Sequence, residues 1–312
     1  MRNSSKTQWP PALGIGARIA LIAASGPLRG ESDLNAAEPH LRARGWEPVR
    51  GTHVLGRRGY LAGTDAERLR DLQWALDDPA IDAVWFVRGG YGLSRIVERV
   101  SLDAFVTRPK ALIGFSDVTA LHCAVAARSG IVTYHTHTAR AGFPPMSDAS
   151  LLAAVSQTGE PCGVWVHAQP VTAGRASGRL VGGNLALLAA LCGTSYAMTA
   201  AGAIVVLEDI NEAAYRVDRM LRQLEQSGAL RGCVGLAVGQ FTSVPDDENP
   251  DALTVGELIA ELADRLRVPC LANLPIGHIA DQWTVPLGAQ ATLDADAGAL
   301  LVDVPDVPSI VS

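Results

Sequence analysis

Residues 111–122 read ALIGFSDVTALH, an apolar run that passes through Gly114-Phe-Ser-Asp117 into an amphipathic segment. An apolar run followed at once by apolar residues three or four apart predicts a strand, a sharp turn and a helix. Similar short runs, bounded by turn residues, alternate with helical segments along the rest of the chain. This alternation predicts an α/β fold built on parallel strands.

The first half of the chain is expected to form a Rossmann-like parallel sheet with flanking helices, and the second half an α/β domain that ends in a β-hairpin. The predicted strands of the first half are Arg18–Ala24, a segment near Pro48–Val54, Ala83–Val87 and Ala111–Phe115, and the helices are Asp33–Arg44, Asp65–Asp77, Leu93–Arg99 and Val118–Ser129. The second half is predicted to contain the helices Leu185–Leu191, Ala213–Gln226 and Val255–Arg265, the strands Ala203–Leu207 and Gly235–Val238, an extended segment Pro269–Asn273, and the hairpin strands Gln290–Asp294 and Ala299–Val304.

The length of 312 residues favours two domains, since single hydrophobic cores rarely grow to this size. Glycines and prolines between Ala139 and Ser177 interrupt any long element and indicate a linker. We therefore expect an N-terminal domain over residues 1–138, a linker over 139–177 and a C-terminal domain over 178–312.

Composition narrows the class of protein without naming a function. The net charge of −6 argues against a surface that attracts nucleic acid. Five scattered cysteines without a CxxC pair are typical of a reduced compartment and predict neither a disulfide framework nor a zinc site. With neither a secretory signal nor an apolar run of about 18 residues in the sequence, the expectation is a soluble, cytoplasmic protein that does not bind a membrane.

Ser116 and Asp117 lie at the predicted strand-to-helix turn, and two interpretations of them are open. A serine on such a turn can be a nucleophile whose hydroxyl projects outward beside the free N–H groups of the helix start. The hydrolase pattern G-x-S-x-G is incomplete, because Val118 replaces its last glycine. Either residue could instead simply cap the helix, which on this segment alone is the better supported interpretation.

A second candidate is the turn Arg88-Gly-Gly-Tyr-Gly92, which follows a predicted strand. Its glycines let a ligand approach the backbone, and an N–H here could form an oxyanion hole together with the N–H of Asp117. A dinucleotide fingerprint fits poorly because Arg95 stands where its third glycine belongs, and a plain tight turn is the simplest alternative. Arg88 is suited to bind a substrate carboxylate, and Tyr91 is a further candidate contact.

The second half offers a carboxylate and a histidine. Glu208 and Asp209 end a buried strand, the position at which α/β folds place ligand sites; Asp209 is expected to cap a helix and Glu208 to orient a histidine. His278 lies in a glycine-containing loop and is the candidate base. His135 and His137 form an H-x-H pair, but no third ligand stands at metal-binding spacing, so no metal is predicted.

Five ordered motifs resemble the LD-carboxypeptidases, a serine peptidase family that includes cytosolic muramoyltetrapeptide carboxypeptidases. They are GGYG at 89–92, IGFSD at 113–117, GGNLALL at 182–188, LEDINEAAYRVDRML at 207–221 and PIGH at 275–278. The resemblance implies that Ser116 is the nucleophile, His278 the general base and Glu208 the residue that orients it, with the N–H groups of Gly90 and Asp117 as the oxyanion hole. It also implies an active site between the domains, no cofactor, and a homodimer.

The resemblance leaves the substrate open between two branches of the family. One cleaves the bond between a dibasic L-centre, diaminopimelate or lysine, and the terminal D-alanine of murein tetrapeptides during peptidoglycan recycling. The other cleaves a peptidyl-nucleotide and confers self-immunity to microcin C, and it is expected to stack the base on an aromatic loop. Tyr196 is the only aromatic residue between Asn184 and Glu208, which favours the murein substrate. Against it, residues 133–140 read TYHTHTAR where a murein enzyme typically has a segment close to VHGPM.

A third hypothesis is that the chain has the same two domains but is not an enzyme. The chain would then be a binding protein that holds a small ligand between two α/β domains. The two hypotheses differ in whether His278 can reach both Ser116 and Glu208.

Overall fold

The computed structural model describes residues 7–140, 142–244 and 251–305. They form two β-sheets, one of six strands and one of eight, with helices packed against them. The predicted fold class, two α/β domains with a parallel N-terminal sheet and a C-terminal β-hairpin, is confirmed.

The first sheet has the strand order β12-β5-β4-β3-β1-β2. Strands β1 to β5 pair in parallel, and β12 joins the edge antiparallel to β5. The order 2-1-3-4-5 is that of a doubly wound sheet, in which ligands bind at the carboxyl ends of the strands near the switch between β1 and β3. The elements are β1 (Arg18–Ile22), α1 (Glu31–Ala43), β2 (Glu47–Arg50), α2 (Asp65–Asp77), β3 (Ala83–Phe86), α3 (Asp103–Thr107), β4 (Ala111–Gly114), α4 (Thr119–Arg128), β5 (Thr133–His135) and β12 (Val285–Leu287).

The second sheet is mixed and has the order β6-β14-β13-β8-β9-β10-β11-β7. Its centre is parallel, and the terminal hairpin of β13 and β14 extends it on one side. The elements are α5 (Pro145–Ser156), β6 (Gly163–Val164), β7 (Gln169–Thr172), β8 (Arg175–Asn184), α6 (Leu185–Ala190), β9 (Ala203–Ile210), α7 (Ala214–Gln226), β10 (Gly235–Thr242), α8 (Val255–Leu266), β11 (Cys270–Ala272), β13 (Gln290–Asp294) and β14 (Ala299–Val302).

The two sheets meet where β8 ends beside the start of α4. The backbone N–H of Asn184 donates to Thr119 Oγ1 at 3.1 Å, and Asn184 pairs with Glu208 on the neighbouring strand β9. Gly183 fits against Thr119, since a Cβ there would lie 2.7 Å from the hydroxyl oxygen. This contact brings the turn after β4 close to the end of β9.

Several elements differ from the sequence predictions. The segment interpreted as a linker without long elements contains the twelve-residue helix α5, whose first turn carries Pro145. Proline is well tolerated there because the N–H it lacks has no partner in a first turn. The ten-residue strand β8 was missed because its glycines have low strand propensity. The predicted helix Leu93–Arg99 is instead two 3-10 turns, Leu93–Arg95 and Val97–Arg99.

The boundaries of the two domains at residues 138 and 178 stay a prediction. Strand β12 lies far beyond the second boundary in sequence and nevertheless completes the first sheet. In the described ranges, none of the helices has the length and apolar character needed to cross a bilayer.

Gly182 in β8 is expected to be indispensable for this packing. It has a φ of +126°, and a Cβ would lie 2.1 Å from the carbonyl oxygen of Val206 on the adjacent strand. We predict that Gly182→Ala lowers the free energy of unfolding by at least about 2 kcal/mol, because both the backbone conformation and the clash oppose an alanine.

Gly256 provides the matched control for this substitution. It is exposed in the first turn of α8, and the nearest atom to an added Cβ is 3.8 Å away. Gly256→Ala should leave stability unchanged or raise it slightly. Thermal and denaturant unfolding of both variants checks the prediction, and equal stabilities of the two would contradict it.

Candidate active site

Ser116 stands on a strained turn between β4 and α4. Its φ is +62°, a left-handed conformation that is uncommon for a residue with a side chain, and the following 3-10 turn spans Ser116–Val118. Gly89 packs against it, because a Cβ at Gly89 would lie 3.2 Å from Ser116 Oγ. The turn therefore presents the hydroxyl to the glycine-rich segment after β3.

The capping interpretation of Ser116 and Asp117 is wrong. Neither the 3-10 turn nor α4 receives a side-chain cap. Asp117 is fully buried and accepts hydrogen bonds from Ser25 Oγ at 2.6 Å and from the N–H of Leu93 at 2.8 Å. Burial raises the pKa of this carboxyl group, and the hydrogen bonds oppose that rise. Asp117 thus ties the Ser116 turn to the loops after β1 and β3.

The glycine-rich turn is fixed on both sides of Gly90. Gly26 donates its N–H to Gly89 O at 3.0 Å, and Gly92 packs against the buried guanidinium of Arg68. Gly90 itself is exposed, with a φ of +112° that suits glycine. Among the described residues its N–H has no backbone acceptor, so it is free to bind a ligand.

Glu208, which is buried, and His278, which is partly buried, form a hydrogen-bonded pair. Glu208 ends β9 without solvent exposure, and its Oε2 lies 2.7 Å from His278 Nδ1. Gly277 makes this approach possible, since a Cβ there would lie 2.7 Å from the same oxygen. With Nδ1 engaged, Nε2 is the ring nitrogen left for a second partner.

His278 lies beside the serine turn as well. Its ring centroid is 4.6 Å from that of Phe115, the residue before Ser116. No hydrogen bond joins Ser116 to His278 within the described part of the chain, and such contacts are commonly loose without substrate. The acid and the histidine are therefore paired, and the histidine ring lies against the residue before Ser116.

The prediction that Asp209 caps the helix after its strand is wrong, because α7 has no side-chain cap. Asp209 instead binds the start of α6. Its Oδ2 accepts the N–H of Ala186 at 2.8 Å, in the first turn of α6, and its Oδ1 accepts from Asn184 Nδ2 at 2.9 Å. Asn184 in turn accepts the N–H of Leu187. Asp209 therefore has a structural role at the start of α6, whereas the carboxylate of Glu208 binds His278.

Arg88 belongs to a group of arginines that the sequence did not reveal. Arg88 donates to Pro27 O, and the positive charges of Arg88 and Arg29 act on Arg140. Burial lowers the pKa of Arg140, and these two neighbours add to the effect, while Asp33 at 3.8 Å opposes it. Asp33 is buried with two hydrogen bonds from the Arg29 side chain. The guanidinium groups of Arg29 and Arg140 thus share the carboxylate of Asp33, and Arg88 adds a further positive charge near Arg140.

The remaining candidate residues, Tyr91, His135 and His137, differ in solvent exposure. Tyr91 is 48% exposed, and its ring centroid is 5.9 Å from that of Tyr60. His137 is buried and bound on both nitrogens, by Gln282 Nε2 and by Ala280 O. His135 is fully buried behind Phe115. The ranges that the structure describes hold no group of three His, Cys, Asp or Glu side chains placed to bind a metal.

Comparison with known proteins places this site in a family. The N-terminal domain of the LD-carboxypeptidases matches residues 19–136, and the C-terminal domain matches residues 177–293. A putative carboxypeptidase from Streptomyces coelicolor, SCO6489, is 42% identical over 305 residues, which cover 95% of this chain and 96% of the relative. A murein tetrapeptide carboxypeptidase from Pseudomonas aeruginosa is 35% identical over 307 residues, with 95% and 98% covered.

A solved structure shares the fold. The MccF-like protein from Bacillus anthracis superimposes with a TM-score of 0.84 at 22% identity, covering 96% of this chain and 100% of that chain. The hypothesis of a non-catalytic binding protein is wrong in view of the family matches over both halves. The chain belongs to the LD-carboxypeptidase family and is a serine carboxypeptidase.

Proposed function

We propose that the chain hydrolyses the bond between a dibasic L-centre, diaminopimelate or lysine, and the terminal D-alanine of murein tetrapeptides during peptidoglycan recycling. The relative from Pseudomonas aeruginosa, a murein tetrapeptide carboxypeptidase, supports this substrate class. The observation that carries the proposal is the Glu208–His278 hydrogen bond of 2.7 Å beside the strained Ser116 turn. Cytoplasmic location and a homodimer complete the proposal.

The reaction follows from these positions as acyl transfer to serine. His278 Nε2 accepts the proton of the Ser116 hydroxyl while Oγ attacks the scissile carbonyl carbon. When the tetrahedral intermediate collapses, the C–N bond breaks and His278 returns the proton to the amine of the departing D-alanine. Water then gives a proton to His278 and its oxygen attacks the acyl-enzyme carbonyl carbon. The ester C–Oγ bond breaks, the tripeptide leaves, and His278 returns the proton to Ser116 Oγ.

The developing oxyanion is assigned to the N–H groups of Gly90 and Asp117. Gly90 lies on a turn that Asp117 itself anchors through Leu93, so the two donors are linked by one buried carboxylate. A fixed pair of N–H groups stabilises the transition state without reorganisation, and losing one such donor typically slows a reaction by about a hundredfold or more.

The arginine group is assigned to the free carboxylate of the terminal D-alanine. Arg88 follows β3, Arg140 follows β5 and Ser116 follows β4, so all three come after the carboxyl ends of neighbouring parallel strands, and Asp33 balances only part of the positive charge. The carboxylate of the substrate would neutralise the remaining positive charge. Guanidinium groups bind carboxylates through two parallel hydrogen bonds. Tyr91, exposed beside Gly90, is assigned to the wall that contacts the peptide.

Peptidyl-nucleotide hydrolysis is the alternative, because the fold is shared with the MccF-like protein. Stacking of a base requires an exposed aromatic ring. Tyr196 is only 7% exposed and packs within the hydrophobic core, so it offers no stacking surface. This observation favours the murein peptide.

Replacing Ser116 tests the nucleophile. We predict that Ser116→Ala lowers D-alanine release from UDP-MurNAc-tetrapeptide by at least about 10³-fold, because no other group can form the acyl-enzyme. Ser94→Ala, on the nearby 3-10 turn Leu93–Arg95, is the matched serine control and should retain full activity. A Ser116→Ala enzyme as active as the wild type would contradict the proposal.

Replacing the arginines tests recognition of the terminal carboxylate. We predict that Arg88→Ala and Arg140→Ala each raise KM for the tetrapeptide about tenfold or more, since each removes a charge-assisted hydrogen bond. The wild type should prefer the free acid over the C-terminal amide, and both variants should lose this preference. Arg108→Ala, on the exposed surface, is the control. An unchanged preference for the free acid in both variants would show that the carboxylate binds elsewhere.

Competition between substrates separates the two branches. We expect the wild-type enzyme to show a kcat/KM for UDP-MurNAc-tetrapeptide at least about a hundredfold above that for an aminoacyl sulfamoyl adenosine, because Tyr196, the aromatic residue between Asn184 and Glu208, is buried. Turnover of both compounds by one preparation gives the ratio. A ratio in favour of the nucleotide would establish the alternative function.

A further inference from the structure

His278 engages only one of the two carboxylate oxygens of Glu208. Oε2 accepts from His278 Nδ1, whereas Oε1 is buried and has no hydrogen-bond partner among the described residues. An unpaired buried polar atom destabilises a protein, and does so more strongly when the group is charged. A carboxylate held at one oxygen can also rotate about its side-chain bond, which would move the acceptor away from His278.

The side chain that faces this second oxygen is His135. It ends β5, opposite Gly114 on β4 and Val285 on β12, and is fully buried. Its Nε2 lies 4.0 Å from Glu208 Oε1. Neither of its ring nitrogens has a hydrogen-bond partner in the part of the chain that the structure describes. An approach of about 1 Å would therefore satisfy both groups at once.

The chemistry of His135 suits it to donate to a carboxylate. Burial, together with the neighbouring His122, His278 and His137, lowers the pKa of His135 well below its ordinary value, so the ring is neutral and has a single N–H. Its Nδ1 lies against Gly183, as does Thr119 Oγ1. That hydroxyl accepts the N–H of Asn184 and keeps its own hydrogen for a second partner. The tautomer with hydrogen on Nε2 places the donor towards Glu208.

We propose that His135 is a positioning residue, whose Nε2–H donates to Glu208 Oε1 and so holds the carboxylate in the plane that orients His278. His135 touches neither the substrate nor the reacting atoms and acts through Glu208. The inference rests on the proposed function for its kinetic consequence, but the contact itself concerns only the three side chains.

Three substitutions of His135 distinguish a donor from packing. Glutamine places an amide N–H near the position of Nε2, asparagine places one near Nδ1, and phenylalanine keeps the ring without a donor. We expect His135→Phe and His135→Asn to lower kcat for D-alanine release by about 10- to 100-fold, as is typical when the partner that orients a functional side chain is lost. KM should stay within about twofold, and His135→Gln should recover most of kcat.

A second readout needs no substrate. In protein labelled with nitrogen-15 in histidine, the proton on His278 Nδ1 reports its hydrogen bond to Glu208. We expect this proton signal to weaken or vanish in His135→Phe and His135→Asn and to persist in His135→Gln. His122→Phe is the matched control, because His122 is equally buried and adjacent to His135 but binds Gly114 O, so its replacement should leave the signal in place.

The two readouts keep the inference separate from the function. A wild type that releases no D-alanine but shows the expected signals would overturn the proposed substrate and support the role of His135. Full kcat in folded His135→Phe, or equal losses in all three variants with an unchanged His278 signal, would overturn the role of His135. Thermal unfolding of each variant identifies those in which the whole fold has been lost.

Discussion

The arrangement depends on one hydrogen bond, from His278 Nδ1 to Oε2 of the buried Glu208 at 2.7 Å. A carboxylate without solvent exposure is unfavourable unless it is paired, so the fold must supply its partners. Gly277 supplies the room, because any side chain there would occupy the space of the carboxylate. The proposed roles of Ser116, the oxyanion donors and His135 all assume that this pair is held in place.

The contact between the two sheets then sets the distance from acid to serine. Asn184 and Gly183 at the end of β8 rest on Thr119 at the start of α4, and β12 crosses back to complete the first sheet. Gln282, shortly after His278, is bound by His137, which follows β5. These contacts connect the two sheets, so the position of the candidate site depends on both halves of the chain.

Much of this could be predicted from sequence because the signals are local. Ser116, Glu208 and the Gly89–Gly92 turn each end an apolar run, and the α/β alternation fixes the fold class. Other features depend on contacts between distant segments: Asp117 binds Ser25, which lies 92 positions earlier, and Arg140 meets Asp33 across the sheet. The capping interpretation of Asp117 failed for this reason. His135 belongs to a short strand that the sequence pattern did not reveal, so its contact with Glu208 could not be anticipated.

The central claim is that Ser116 attacks a carbonyl carbon while His278 accepts and returns the proton. The carbonyl oxygen is bound by the N–H groups of Gly90 and Asp117. A crystal structure with the product tripeptide ending in an aldehyde tests all three parts together. The account predicts a covalent bond from Ser116 Oγ to the aldehyde carbon, the new oxygen at about 2.7–3.1 Å from both N–H groups, and His278 Nε2 within hydrogen-bond reach of Oγ. An aldehyde bound without a bond to Ser116, or with its oxygen directed away from Gly90 and Asp117, would contradict it.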